Sequence, residues 1–420
     1  MREAACFMMQ EDQLLPHLFR SEYQKIIAVL CHYFGFEHIE AAEDIASDTF
    51  LTAAETWGIK GLPENPKAWL YTVARNKATD YVRRGARFNQ KVAEGFVAEE
   101  NYEVEIDLSD QNIGDSQLQM MFAICHPVLP AEAQIGLALR ILCGFGIDEI
   151  AEAFLSNKET INKRLFRAKE KLREQKVKIV FPEPADIVSR LGIVLKTLYL
   201  LFNEGYYSSC QSATLRKDLC LEAMRLNYLL IENEQTNLPE VNALLSLMCF
   251  HASRFDARID ENGEMIRYGD QDRKLWNDEL IAKGRYYLNV ASKESEAGKY
   301  HIEAAIAYWH TVKTDTAEKW ENILMLYNRL LIAAYSPAAA LNRTYALAKV
   351  RGKEKAIIEA EKLKLDTNHL YHVLLGYLYT GINNEKAVSH LQTALKLAKT
   401  PAGKSRIGKD LDSLLSNDRK

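Results

Sequence analysis

The 420-residue sequence predicts an all-α protein. Three observations carry that expectation. Apolar residues recur at three- and four-residue spacing through most of the chain, which is the period of a helix face. Alternating apolar and polar runs, the mark of a half-buried strand, are scarce. The prolines, among them Pro63, Pro66, Pro130, Pro182, Pro184 and Pro337, fall near segment ends, where a missing N–H does least harm to a helix.

Bulk properties narrow the class. A composition that is 48% hydrophobic and 26% charged is ordinary for a globular protein, and the length suggests two or three domains. No apolar run approaches the roughly 20 residues needed to cross a bilayer. Met1 to Cys6 lacks the apolar core of a signal peptide. The expectation is a cytoplasmic protein with no membrane partner. The seven cysteines are odd in number, irregularly spaced and free of any C-x-x-C pair. That pattern argues for reduced, mostly buried thiols and against a disulfide framework or structural zinc site.

The net charge of −4 conceals a strong segregation. From Val92 to Leu139 there is no Lys or Arg, whereas Glu94, Glu99, Glu100, Glu103, Glu105, Asp107, Asp110 and Asp115 all fall there. Lys158 to Lys178 is strongly basic. A weak overall charge can therefore hide a local phosphate-binding patch.

Four parts follow along the chain. Residues 8–88 read as a compact helical module. Within it, Ile45, Thr49, Leu51, Thr52 and the run Ala53 to Trp57 form the apolar side of one helix, with Glu43, Asp44 and Asp48 set apart. Asn65-Pro66 opens the next helix with a capping side chain followed by proline at the first helical position. Trp69, Leu70, Val73, Ala74 and Ala78 can pack inward there, leaving Arg75, Asn76, Lys77, Arg83 and Arg84 as a basic surface. Residues 89–114, acidic and poor in large apolar groups, read as a flexible linker.

Residues 115–178 hold the sharpest pattern. Gly146 to Phe154 is a short helix, Leu155-Ser156-Asn157 a tight connection, and Glu159 to Arg173 a second helix. Ile161, Leu165, Ala168 and Leu172 fall on one stripe of that second helix. Asn162, Lys163, Phe166, Arg167 and Lys171 lie off it. An apolar back, a basic front and one exposed aromatic suit a DNA major groove, and the arrangement is that of a helix-turn-helix with the second helix as reader.

Residues 182–420 read as a larger helical region. Asn342 to Ala348, a Gly352 turn and Glu354 to Ile357 are echoed by Leu375 to Tyr379, Gly381 and Glu385 to Val388. The offset of about 31 residues is close to that of tetratricopeptide helix pairs, so the expectation is a tetratricopeptide-like (TPR-like) repeat extension.

Taken together, AAEDIASDTF, NPKAWLYTVARNKATDYVRR, the acidic gap and PAEAQIGLALRILCGFGIDEIAEAFLSNKETINKRLFRAKEKLR resemble the extracytoplasmic-function sigma factors of bacterial RNA polymerase. The stretches CHPVLPAEAQ (125–134), LYLLFNEGYYSS (198–209), GDQDRKLWN (269–277) and SPAAALNRTYALA (336–348) resemble one subgroup with a long tetratricopeptide-like extension. The resemblance implies two sigma modules, regions 2 and 4, and core polymerase and promoter DNA as partners. A further regulatory protein is a candidate partner, though none can be read from the chain.

What the resemblance implies can be put residue by residue. Glu43, Asp44 and Asp48 match the position that docks on core polymerase, where acidic groups meet basic ones; Ser47 stands where such helices often have Gln. Lys60, Leu62 and Asn76 match positions that capture an extruded −10 base, a task needing apolar walls and a group able to donate and accept. Arg75, Lys77, Arg83 and Arg84 would hold phosphates, and Trp69 belongs to the core. For the −35 element, Asn162, Lys163, Phe166 and Arg167 are the groove candidates, and Thr160, Arg164 and Lys169 the phosphate contacts.

The extension offers polar groups but no chemistry. A calcium loop starting at Asp256 would need Glu at 267, where Arg267 stands. Asp270 to Arg273 reads as a capping and ion-pair network before a Leu275-Trp276 helix. No phosphate loop, nucleophile elbow or zinc-protease motif occurs. No catalytic residue, metal or cofactor is assigned, and an enzyme is the least supported class. The competing readings are a conventional helix-turn-helix regulator, which leaves residues 40–84 unexplained, and a helical-repeat scaffold, which leaves the basic face of 158–178 unexplained.

Overall fold

Burial of the apolar stripes organises the chain, as a computed structural model shows for residues 11–92, 106–154, 156–207, 213–258, 266, 268–293, 297–398 and 401–417. Among the described residues there are 19 α-helices and no strand. None of these helices is long and apolar enough to cross a membrane. The chain divides into two compact units, Met1–Thr236 and Asn237–Lys420.

The first unit begins with α1 (Glu11–Phe34), a 3-10 turn (Phe36–His38), α2 (Ile39–Lys60) and α3 (Pro66–Val92). It continues with α4 (Asp110–Ile124), α5 (Ala131–Leu137) running into a π turn (Ala138–Leu142), α6 (Ile147–Ala153) and α7 (Lys158–Glu174). It ends with α8 (Pro184–Tyr207) and α9 (Ala213–Glu232). Ile26, Ile27, Ala28, Val29, Leu30 and Cys31 of α1 are each at most 1% exposed. A helical segment apolar all round has to be enclosed on every side, and α1 is enclosed by α2, α3, α4 and the π turn.

Local signals set the helix starts. Asn65 Oδ1 accepts from the Ala68 N–H at 3.0 Å, as its capping position predicts. Asn157 Oδ1 accepts from the Thr160 N–H at 2.8 Å and starts α7. Gly146 N–H donates to Glu149 Oε2 at 2.7 Å and starts α6. On α2, Ile45, Thr49, Ala53 and Trp57 are buried, but Leu51 is 57% exposed. Leu51 therefore leaves the apolar side expected for it: residues 45, 49, 53 and 57 advance by four, and a position two past Thr49 faces away. Trp69 packs edge-on to Trp57 at 5.4 Å between ring centroids, in keeping with a core role.

Two expected boundaries move. Of the linker placed at 89–114, residues 89–92 continue α3, residues 110–114 begin α4, and residues 106–109 are held against the first module. Ile106 and Leu108 are buried, the Asp107 N–H donates to Tyr33 Oη at 3.3 Å, and Lys67 pairs with Asp110 at 2.8 Å. Alternating apolar side chains in an acidic run are enough to dock it; the remaining linker residues, 93–105, lie outside the described residues. The extension expected at 182–420 also divides, because α8 and α9 belong to the first unit.

The second unit contains α10 (Pro239–Ala252), α11 (Phe255–Arg258), α12 (Asp278–Ala291), α13 (Lys299–Thr311) and α14 (Ala317–Ala333). It closes with α15 (Pro337–Arg351), α16 (Lys353–Glu361), α17 (His369–Tyr379), α18 (Asn384–Leu397) and α19 (Pro401–Asn417). The two sequence echoes are successive helix pairs, α15 with α16 and α17 with α18, turning at Gly352 and Gly381, both in the left-handed region. Their apolar faces merge in one core around Leu341, Ile357, Leu374, Leu378 and Leu391.

The polar run before α12 is structural. Asp272 caps a single 3-10 turn, Arg273–Leu275, rather than the expected Leu275-Trp276 helix. Trp276 is buried in extended backbone, and Asp270 pairs with Arg406 at 3.3 Å. Fully buried Lys319 donates to Tyr268 Oη and to the Val312 carbonyl, both at 2.8 Å. The loop weighed for calcium at 256–267 lies largely outside the described residues. Cys31, Cys125, Cys143, Cys220 and Cys249 are buried thiols.

Gly376 lets α17 approach α18 closely: a Cβ there would stand 2.8 Å from Leu391 Cγ and Cδ2. Gly376→Val is expected to destabilise the protein by about 1–3 kcal/mol through overpacking, read as a fall in the urea midpoint. Gly408→Ala, at a helical site with open space around it, is the control and should not lower the midpoint.

Candidate nucleic-acid and polymerase interface

Helix α7 presents the expected reader face. Ile161, Leu165, Ala168 and Leu172 are buried, which turns Thr160, Asn162, Lys163, Phe166 and Arg167 outward. Phe166 is 64% exposed. Among the described residues neither Lys163 nor Arg167 makes an ion pair. Arg164 is engaged: it pairs with Glu132 at 3.0 Å and lies over the Phe154 ring at 5.5 Å. Leu155, in the expected turn, lies outside the described residues.

The −10 candidates spread along α3 and the loop before it. Lys60 ends α2, and Leu62 sits 38% exposed on the loop. Asn76 is exposed on α3, about 15 Å of helix rise beyond Pro66. Arg83 and Arg84 are exposed on the same helix. Arg75 Nε donates to the Ile106 carbonyl at 3.0 Å, so this arginine clasps the docked linker tail. Lys77 stands 3.9 Å from Asp48.

The acidic docking candidates divide. Asp44 and Asp48 are exposed. Glu43 is not: Lys169 Nζ of α7 lies 2.9 Å from each of its carboxylate oxygens, and the two side chains are only 19% and 13% exposed. One turn further along α7, Arg173 pairs with Glu40 and with Glu170, and its Nε donates to the Phe36 carbonyl at 3.1 Å. Ser47, in the place often held by Gln, donates to the Glu43 carbonyl at 2.8 Å and meets Tyr23 Oη at 3.0 Å.

Arg173 and Glu40 were not singled out from sequence, nor was this contact. A signal existed: Glu40 and Glu43 at one spacing, and Lys169 and Arg173 at another, place like charges on single helix edges. The modules also meet through shape. Gly144, in the left-handed region, approaches the buried Gln24 of α1 so closely that a Cβ would stand 1.7 Å from its Nε2. Among the described residues no cluster of three or more His, Cys, Asp or Glu could hold a metal.

Electrostatics fix the sign of a test. Burial alone would raise the Glu40 carboxyl, but the hydrogen bond and charge of Arg173 hold it below its ordinary value of 4.5. A carboxylate lowered in the folded state contributes stability that is present above its unfolded pKa and lost as pH falls through the folded value. Arg173→Met is therefore expected to flatten the acid limb of the stability–pH profile, measured by urea unfolding from neutral pH down to acid. An unchanged acid limb would show that the pair contributes nothing.

Two family models match segments of the chain. Residues 18–88 match Sigma-70 region 2, and residues 190–292 match a family of unknown function, DUF6596. An uncharacterized protein of Rhizobium meliloti is 33% identical over 388 residues, covering 90% of this chain and 91% of that one. The ECF RNA polymerase sigma-E factor of Haemophilus influenzae is 28% identical over 175 residues, covering 40% of this chain and 89% of that protein. No solved structure matches the chain.

Proposed function

This chain belongs to the extracytoplasmic-function sigma factors of bacterial RNA polymerase, carrying in addition a distinct C-terminal region, and on that premise we propose that it directs promoter-specific initiation. In this reading α2 docks on core polymerase, α3 and the loop before it engage the −10 element, and α7 reads the −35 element. The observation that carries it is the pairing of two surfaces in one chain. An exposed polar and basic strip lies on α3, and α7 presents Lys163, Phe166 and Arg167 outward from a helix-turn-helix. A conventional regulator needs only the second.

The chemistry divides accordingly. Arg and Lys can read guanine edges in a major groove, and Phe can meet a thymine methyl. Asn76 can both donate to and accept from a base edge. Lys60, Arg83 and Arg84 supply cations for a backbone whose affinity depends steeply on salt. No step calls for a catalytic side chain, and no enzymatic activity is assigned.

The same proposal extends to the C-terminal helices, read as a tetratricopeptide-like domain that regulates or supports initiation. Support comes from the successive helix pairs, their glycine turns and the close crossing at Gly376. A surface-variant scan of this region that leaves initiation untouched argues against such a role.

Run-off transcription with purified bacterial core polymerase and a promoter library tests the reading as a whole. Specific initiation by the full chain is the expected outcome. Duplex binding without initiation would favour a conventional regulator instead. Two variants then separate the surfaces. Arg167→Ala should weaken specific duplex binding by about 1–3 kcal/mol, read by fluorescence anisotropy. Asn76→Ala should leave that binding intact and reduce promoter opening, read as permanganate reactivity of unpaired thymines. Equal losses in both assays for both variants would contradict the assignment.

A further inference from the structure

Lys319, in the second unit, is a charge without a counter-ion. Its side chain is fully buried, and among the described residues it forms no ion pair. Its Nζ donates to Tyr268 Oη and to the Val312 carbonyl. An ammonium group has three donors, so one is left over. Asp315, the acid that attracts it most, accepts from Trp320 Nε1 at 2.5 Å instead. A buried charge is costly unless it is both paired and hydrogen-bonded.

Other unmet groups gather at the same place. Trp276 is 4% exposed, and its Nε1 has no hydrogen-bond partner. Gln271 Oε1 and His310 Nδ1 are buried without one as well. Tyr268 ties the cluster together. Its ring lies 6.1 Å from that of Trp276 and 5.0 Å from that of His310, and Lys319 Nζ is 5.3 Å from its centre. Arg273 lies over the Trp276 ring at 5.9 Å and makes no ion pair among the described residues. Arg254 lies over Tyr268 at 5.6 Å. The neighbouring acids are committed elsewhere: Asp270 to Arg406, and Asp272 to the Lys274 N–H.

Buried polar groups in native proteins are nearly always satisfied, so a cluster of exceptions calls for a binding partner. The unmet groups are of mixed type. Trp276 Nε1, Arg273 and the third Lys319 N–H only donate, whereas Gln271 Oε1 only accepts. A simple anion meets the donors alone. Water meets both kinds but leaves the charge unbalanced. The ammonium of an amino acid would be set against Arg254, Arg273 and Lys319. A carboxylate that also carries a hydroxyl meets every requirement.

We propose that this cluster is a binding site for a small hydroxycarboxylate. Lys319 and Arg273 take the carboxylate, Gln271 Oε1 accepts from the hydroxyl, and Tyr268, Trp276 and His310 form the walls. The site lies within the second unit, and its ligand is bound without polymerase or DNA. It therefore goes beyond the sigma-factor reading, and either can fail without the other.

The test is isothermal titration calorimetry of the full chain with L-malate, acetate, glycine and inorganic phosphate at matched ionic strength. Malate should bind saturably, acetate more weakly and glycine least. Lys319→Met should weaken malate binding about tenfold or more, as expected for loss of a charge-assisted hydrogen bond. Arg273→Gln, at a half-exposed position, should weaken it in the same direction and keeps the test open if the lysine variant does not fold. Burial lowers Lys319 to about 8. It also holds His310 at about 3 and His251 well below its ordinary range, and it raises Tyr268. Lys319 is then the group of this cluster that titrates just above neutrality, and malate affinity should fall by about tenfold per pH unit above that value. No saturable heat with malate overturns the proposal, as does phosphate binding as tightly as malate. Undiminished binding by the variants, or an affinity unchanged from pH 7 to pH 9, overturns the assignment to Lys319 and Arg273.

Discussion

The constraint on which the first unit depends is that α1 has no polar side to give to solvent from Ile26 to Cys31. Ile26 to Cys31 are enclosed at every position around the helix. A helix with one apolar stripe can be satisfied by one neighbour; a helix apolar all round must be surrounded. Here α2 and α3 cover part of it, and α4 with the π turn cover the rest. Those coverings come from two stretches of chain separated by an acidic run, so burying α1 brings the region 2 module and the helix-turn-helix module into one unit. The placement of α7 against α2 follows from that enclosure.

Once the two modules share α1, their charged edges have to be compatible. Glu40 and Glu43 alone would repel each other along one edge of α2, and Lys169 and Arg173 along one edge of α7. Facing each other, the four groups cancel. An isolated exposed ion pair contributes little, since water competes well for both partners. This one differs because Glu43 and Lys169 are largely removed from water, so removing either partner would leave a charge that is costly to keep unmatched.

What could be read from sequence was local. The stripe Ile161, Leu165, Ala168 and Leu172 fixes which side of α7 is buried, because side chains three and four apart share a helix face. Asn65 and Asn157 announce their helices because a cap reaches only three residues. The repeat of α15 with α16 in α17 with α18 was visible for the same reason. Contacts between distant segments were hardly legible: Glu43 meets Lys169 across 126 residues, and the like charges along one edge of each helix say that opposite charge is wanted there but not which segment supplies it. The docked linker tail lay between these cases. Ile106 and Leu108 alternate with Asp107, a period-two pattern that the surrounding acidity obscured. Leu51 shows the converse error, an apolar residue assigned inward on composition when its position on the helix turns it outward.

The division of labour within α7 follows from its length. A helix of 17 residues is about 25 Å long, enough to carry two surfaces that do not overlap. Asn162 to Arg167 begin past the first turn, and Asn162, Lys163, Phe166 and Arg167 lie on the exposed side. Lys169 and Arg173 lie further along, and Arg173, in the last turn, is also favoured there as a cation by the dipole. Asn157 caps the first turn of α7 with its own side chain, apart from the ion pairs further along the helix.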